Sequence, residues 1–541
     1  MASIRTGRLA RWSAAAAVPA GALPALSFPA PALWWFAYVA LVPWMLLLRS
    51  APTGRRAALE GWLGGAGFIL AVHHWLLPSL HVFLLPVAAL LGVLWIPWAL
   101  LVRRLLGGVP SAGRTGAALV LVPAGWLLSE LVRSWQGLGG PWGLLGASQW
   151  QVQPALRLAS VGGVWLVSLL VVAVNCALVA LVAAPGTRAP AVAGATGCAV
   201  LTGAVWLWAP APAVSGGLRV GVVQPGPVAG PDSAERRFDV GERLTRELVG
   251  RSADLVVWGE SSVGEDLAAR PDLARRLAAL SSEVGAPLLV NVDARRSDRP
   301  GIYKSAVLVG PLGPTGDRYD KMRLVPFGEY VPARALLGWA TSVGKAAGED
   351  RIAGAAPVVM DLPAGPDAPA GASGARAGVR VGPLVCFESA FPDMSRRLVR
   401  DGADLIVAQS ATSTFQESWA PAQHASLAAL RAAETGRPVV HATLTGVSAV
   451  HGPSGGRVGP VLPTSASTAR VYGVPLSGST TFYARHGDWA VAASLAALAA
   501  YGAAVGVRGV RLRRSGGGGG SGALRRPAPE PSSPPARTAR G

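Results

Sequence analysis

Apolar residues fall in long blocks toward the two ends of this chain and in short runs between them. Residues 31–48, 61–80, 83–102, 158–182 and 190–209 contain no Asp, Glu, Lys or Arg. Each is about as long as a helix needs to be to cross ~30 Å of hydrocarbon. Residues 116–128 form a shorter block that runs into Glu130 and Arg133, and 489–507 form the last one. The stretch 13–29 is Ala-rich and interrupted by Pro19 and Pro24. It reads as a short first span, although Arg5, Arg8 and Arg11 before it also fit a secretory signal. The pattern predicts a membrane domain over 1–209 with seven spans, the first one short, and an eighth span over 489–508.

Between 217 and 476 the pattern changes. Short β-branched runs at 218–224, 254–258, 287–292, 379–386 and 404–409 read as buried strands. They alternate with amphipathic stretches at 232–249, 271–284 and 422–434 that read as helices. Such alternation predicts an α/β layered domain. Residues 362–378 (LPAGPDAPAGASGARAG) read as a surface loop inserted before a strand. Residues 509–541, with SGGGGGSG and PAPEPSSPP, read as a basic, disordered tail.

Composition sharpens this picture. Hydrophobic types make up 51% of the 541 residues and charged types 15%, against roughly 25% charged in an ordinary soluble domain. A disordered chain is excluded by the apolar content, and a disulfide scaffold by a total of three cysteines. The net charge of +19 is unevenly placed: residues 217–476 hold 28 Lys and Arg against 26 Asp and Glu, and the remainder holds 21 against 4. Arg5, Arg8 and Arg11 precede span one, Arg49, Arg55 and Arg56 follow span two, Arg103, Arg104 and Arg114 follow span four, Arg188 follows span six, and Arg508, Arg511, Arg513 and Arg514 follow span eight. All of these fall on one side, which the positive-inside rule assigns to the cytoplasm. Both termini are therefore expected inside and 217–476 outside. The excess charge records orientation in a membrane rather than a nucleic-acid surface.

Three segments carry candidate chemistry. Cys386 is the only cysteine in 217–476 and ends a predicted strand. There it is either a buried, inert thiol or a nucleophile at the edge where α/β folds place chemistry. Glu260 follows a strand directly and is either a general base or a capping carboxylate. Lys321 is one of only three lysines, with Lys304 and Lys345, and lies in the stiff segment YDKMRLVPFGEYVP (319–332). A buried ammonium there needs a partner or a developing anion, and Glu329 is placed to be that partner.

The segments WGESS, YDKMRLVPFGEYVP and VCFES, in this order, resemble the Glu-Lys-Cys signature of the nitrilase superfamily. Together with seven preceding spans and one following span, they resemble its membrane-embedded branch, the apolipoprotein N-acyltransferase family. WLLSELVR (126–133) and GPWGLLGASQ (140–149) resemble that family's segments after span five. The resemblance implies an α-β-β-α sandwich on the outer face of the bacterial cytoplasmic membrane. It implies Glu260 as general base, Lys321 as the lysine stabilising an oxyanion, and Cys386 as nucleophile. Glu329 and Glu388 would be supporting glutamates, and the backbone N–H of Phe387 would serve the oxyanion hole. The implied reaction moves an acyl chain from a phospholipid to Cys386, then to the α-amine of a diacylated apolipoprotein. Cofactor, metal and nucleic acid have no place in it, and a monomer suffices. Residues 410–415 and 441–450 depart from the family's usual Asn-rich segments, which leaves acyl and acceptor preference open. The alternatives are a tethered carbon–nitrogen hydrolase, a transporter with an external domain, and an inactive paralogue. Trp135, Trp142 and Trp150 mark either a lipid access route or ordinary interfacial anchoring.

Overall fold

Two sheets stacked face to face form the α/β region. The computed structural model of the chain describes residues 14–183, 185–228, 230, 232–338, 348–363 and 378–516. The first sheet joins β1 (Gly216–Gln224), β2 (Leu255–Trp258), β3 (Leu288–Arg295), β4 (Ile302–Gly310) and β5 (Gly313–Asp320). The second contains β6 (Met360–Asp361), β7 (Arg380–Val385), β8 (Leu405–Ser410), β9 (Val439–Thr443) and β10 (Ala449–His451). Finally β11 (Thr468–Leu476) returns to pair antiparallel with β1, giving the orders β11-β1-β2-β3-β4-β5 and β10-β9-β8-β7-β6. The runs β1-β2-β3 and β7-β8-β9 are parallel, so their carboxyl ends line up on one rim.

The central strands are apolar on both faces, as expected when both are covered. Val220, Val222, Leu255, Val257 and Leu289 face Val385, Leu405, Val407 and Val440 across the sandwich. Helices Ser233–Arg246 and Pro271–Val284 cover the outer side of the first sheet through Phe238, Leu244, Leu277 and Leu280. Helices Pro392–Arg400 and Ala420–Thr435 cover the second. The result is an α-β-β-α sandwich. The β4–β5 hairpin and β9 to β11 had no counterpart among the sequence-predicted strands.

The outer helices of the second sheet do not face water. Leu398, Leu427, Ala428 and Leu430 share one continuous hydrophobic cluster with Trp142, Leu145, Leu156 and Ala159 of the preceding helical region. That region is held by edge-on contacts among Trp44, Trp95, Trp98, Trp126 and Phe68, with ring centroids 4.9–6.1 Å apart.

Among the described residues, five helices are long and apolar enough to cross a membrane: His74–Leu106, Ala112–Arg133, Gln153–Ala183, Pro185–Trp208 and Trp489–Arg508. Ala14–Ser27 and Trp34–Ser50 are shorter apolar helices. The third predicted span is displaced. Its helix is Gly54–Val72, capped by Thr53, whose hydroxyl accepts from the Arg56 N–H. It begins inside a charged stretch because Arg56 and buried Glu60 pair with each other at 2.7 Å. Its predicted end at 80 instead falls in short helical turns that lead into residues 84–106. The last helix also departs from expectation. It continues to Gly516, so residues 509–516 of the predicted disordered tail are helical; nothing before the glycine run interrupts it. Residues 517–541 of that tail, most of the predicted loop 362–378, and Arg5, Arg8 and Arg11 lie outside the described residues.

Helix Gln153–Ala183 is broken at Gly162–Gly163, where Gly163 has φ +68° and ψ −176°. Only glycine adopts this freely, and a Cβ there would meet the Tyr483 ring at 2.5 Å. The break exposes the N–H of Val164, which donates to Glu434 of helix Ala420–Thr435 at 2.7 Å. A carboxylate of the α/β domain thus caps a membrane-domain helix.

Candidate active site

Two strand ends and one hairpin exit converge on the rim. Glu260 follows β2, Lys321 follows β5, and Cys386 follows β7 at the head of a 3-10 turn, Cys386–Ala390. Cys386 takes φ +53°, a left-handed conformation uncommon for a residue with a side chain. It lifts the thiol off the strand axis toward the rim, and such strained positions cluster at functional sites.

Lys321 is buried, and its Nζ lies 2.8 Å from Glu329 Oε1 and 3.5 Å from Glu260 Oε1. A second lysine joins it. Lys304, on β4, places Nζ 2.7 Å from Glu260 Oε1 and 3.1 Å from Glu329 Oε1. Two carboxylates and two ammonium groups thus form one cluster beside the thiol, with Asp293 at its edge 3.8 Å from Lys304 Nζ. Burial works against every charge in it, but mutual attraction wins. Glu260 is held below the usual carboxylate range by Lys304 and Lys321, and Glu329 falls to about 2 through Lys321 and Lys304. Lys321 is held above the ordinary lysine value by Glu329 and Glu260, and Lys304 by Glu260 and Glu329.

Cys386 differs. Its surroundings push the thiol up to about 12, first by desolvation and then by the Glu260 charge, against Lys321. The resting group is a thiol, so attack requires a base to take its proton. Alkylation of Cys386 by iodoacetamide is therefore expected to rise about tenfold per pH unit from about pH 7 to 9, following the thiolate fraction. A plateau in the mapped-peptide rate inside that range would reveal a preformed thiolate.

Glu388 stands between the two segments that carry Lys321 and Cys386. Its carboxylate accepts from Tyr319 Oη at 2.7 Å, Met322 N at 2.7 Å, Arg323 N at 3.0 Å and Val385 N at 2.8 Å. Phe387 points the other way, with its ring edge-on to Phe391 at 4.9 Å in the cluster shared with the membrane domain. Its side chain is therefore apart from the charged groups.

Glu260 is positioned by close backbone approach. Its N–H donates to the Ser410 carbonyl at 3.2 Å, and Gln409 donates to the carbonyls of Trp258 and Leu289 at 2.9 and 3.1 Å. Gly259 lets this happen, since a Cβ there would meet Leu444 N at 1.9 Å. Gly259→Ala is expected to cost about 1–3 kcal/mol by overpacking. The matching observations are a lower thermal midpoint and weaker Cys386 alkylation.

Two histidines complete the wall. His424 Nε2 lies 3.0 Å from the Cys386 carbonyl and 3.0 Å from Ser389 Oγ. Burial pulls its pKa down to about 4, so the imidazole is neutral near pH 7 and donates to that carbonyl. His441 lies 4.8 Å from it, ring to ring. Sequence reasoning missed Lys304 and His424. Lysine scarcity, which pointed to Lys321, marks Lys304 equally. His424 carries no such signal.

The membrane domain closes one side. Trp142 donates to Gln423 at 2.8 Å and meets His424 at 5.3 Å. Trp75 bridges Trp142 at 5.1 Å and Phe415 at 5.0 Å, and His74 meets Trp419 at 4.5 Å. Arg133 shapes this loop by donating to the Trp142 carbonyl at 2.6 Å, while Glu130 accepts from Leu145 N at 2.6 Å. Trp135, by contrast, is 68% exposed. Among the described residues, no group of three or more His, Cys, Asp or Glu is placed to hold a metal ion.

A cysteine beside a glutamate–lysine cluster on the rim of an α-β-β-α sandwich defines the carbon–nitrogen hydrolase class of thiol enzymes. The family model described as carbon-nitrogen hydrolase matches residues 219–472, and that described as apolipoprotein N-acyltransferase N-terminal domain matches residues 20–177. The chain is 30% identical over 511 residues to the apolipoprotein N-acyltransferase of Geobacter metallireducens, covering 90% of this chain and 94% of the relative. It is 32% identical over 524 residues to that of Azotobacter vinelandii, covering 88% and 92%. Among solved structures, an amidase from Nesterenkonia sp. is similar at 19% identity and a TM-score of 0.33, over 49% of this chain and 92% of that one. The chain belongs to the apolipoprotein N-acyltransferase family.

Proposed function

We propose that this chain transfers a fatty acyl group from a membrane phospholipid, through a thioester on Cys386, to the α-amine of an apolipoprotein's diacylglyceryl-cysteine. The observation that carries the reading is the Glu260–Lys321–Glu329–Lys304 cluster beside Cys386, on a domain whose outer helices pack into a membrane-helix core. Glu260 takes the thiol proton as sulfur attacks the donor ester. Lys321, with the backbone N–H of Phe387, stabilises the tetrahedral oxyanion. The lysophospholipid alkoxide leaves with the proton held by Glu260. In the second half, the acceptor amine attacks the thioester, its proton passes to Glu260, and the departing thiolate recovers it. Two half-reactions sharing one covalent intermediate give ping-pong kinetics.

Lys304 and Glu329 act as positioning residues that hold Glu260 and Lys321 ionised. Glu388 fixes the distance between the Lys321 loop and the Cys386 turn. The protein is a monomer in the bacterial cytoplasmic membrane, with eight spans over 1–209 and 489–508. Its termini are inside and domain 217–476 is on the extracytoplasmic face. The arginine distribution supports this orientation.

The test is to incubate the purified chain with acyl-labelled phospholipid. The expected result is a hydroxylamine-sensitive label on the Cys386 peptide that a diacylated lipopeptide with a free amine discharges as N-acyl product. A label discharged to free fatty acid whether or not lipopeptide is present would identify a hydrolase instead. A wild-type chain that never becomes labelled would defeat the thioester route.

A further inference from the structure

The helices that touch the catalytic domain at one end surround a cavity at the other. Helix Ala112–Arg133 begins at this cavity and ends beside Trp142, a length of about 33 Å at 1.5 Å per residue. The cavity measures about 590 Å³ and is lined by Arg49, Arg103, Arg104 and Arg114, with Leu100 and the loop glycines Gly107 and Gly108. Each arginine is held in place by neutral oxygens. Arg49 donates to the carbonyls of Leu106 and Gly108 at 3.1 Å each, and Arg103 to those of Ala51 and Pro52 at 2.9 Å each. Arg114 donates to the carbonyls of Arg104 and Gly107 at 2.6 and 3.0 Å, and Arg104 to the Tyr501 hydroxyl at 2.7 Å.

Among the described residues, none that lines this cavity is acidic. Between Met1 and Ser129 the only acidic residue is Glu60, and it is taken by Arg56 at 2.7 Å. The last helix carries no Asp or Glu at all. Four guanidinium groups around one space repel one another unless an anion sits among them. Their planar forks match phosphate oxygens. The cavity lies at the ends of apolar helices, where headgroups would be, and Leu100 gives it an apolar wall.

From this geometry we propose that the four-arginine cavity is a binding site for a phosphate-bearing anion, presented as the headgroup of an anionic phospholipid. The site is remote from Cys386 and rests only on these helices spanning a bilayer.

The full-length chain in neutral detergent is titrated with phosphatidylglycerol, phosphatidylcholine or inorganic phosphate and followed by native mass spectrometry. At least tenfold stronger retention of phosphatidylglycerol than of phosphatidylcholine is expected, with the preference lost in an Arg103→Gln, Arg114→Gln double variant. Equal retention of the two lipids, or an unchanged preference in the variant, overturns the site. Inorganic phosphate at millimolar concentration is expected to leave the bound lipid in place. If it binds by itself and displaces the lipid, the headgroup assignment fails. Because Arg103 and Arg114 also hold loop carbonyls, the unaltered chain gives a second reading. Phenylglyoxal modification of the four arginines, mapped by peptide, is expected to slow tenfold with phosphatidylglycerol and not with phosphatidylcholine. Absence of that protection overturns the proposal by itself.

Discussion

A Cys386→Ala chain is expected to take up no acyl label and to lose N-acylation by roughly 10⁵–10⁶-fold, the scale of removing the nucleophile from a covalent catalyst. The methyl group has no lone pair with which to hold the acyl chain. The charged cluster survives, since none of its contacts uses the sulfur. Phospholipid binding should therefore be unchanged while labelling disappears, and a labelling assay beside a lipid-binding assay on the same preparation checks both. A hydroxylamine-sensitive label persisting in the variant would place the nucleophile elsewhere.

Lys304→Met is expected to lower acyl transfer by about 10²–10³-fold near neutral pH, on the scale of losing one preorganised electrostatic contact. It is also expected to move the acid limb of the pH–rate profile upward. The sign follows from the cluster. Glu260 sits below the usual carboxylate range because Lys304 and Lys321 outweigh its burial. Without Lys304, two buried carboxylates share one ammonium, and the proton that one of them takes up is bound at higher pH. Glu260 is then protonated over part of the range in which it must act as base. The loss at pH 6 should exceed the loss at pH 8, and Lys304→Arg should restore part of the rate. A uniform loss with an unmoved acid limb would reduce Lys304 to a structural contact.

How far the sequence carried these conclusions depends on what each residue shows in one dimension. Spans of near-constant apolarity are legible because every face is apolar, whether it packs on neighbouring helices or turns outward. The helix Gly54–Val72 is the exception, since Arg55, Arg56 and Glu60 make its first turns look extramembrane while Glu60 is in fact buried against Arg56. Glu260, Lys321 and Cys386 stand out because each follows a strand or lies in a stiff segment with few chemical alternatives. Lys304 is hidden for the opposite reason. IYKSAVLVG is not among the sequence-predicted strands, and only the fold of the β4–β5 hairpin turns its lysine inward to Glu260. His424 lies on a helix whose buried face is continuous, so nothing in its spacing separates it from packing residues.

The helix Ala420–Thr435 has a second sheet on one side and a membrane-domain core on the other. This makes the enzyme indivisible. A fragment cut at 217 and 476 would lay Leu427, Ala428 and Leu430 open to water and leave Glu434 without the Val164 N–H it caps. Such a fragment is therefore expected to aggregate in water rather than fold as a soluble domain. Chemistry on lipids is tied to the bilayer by its own hydrophobic core, independently of how tightly any substrate is held.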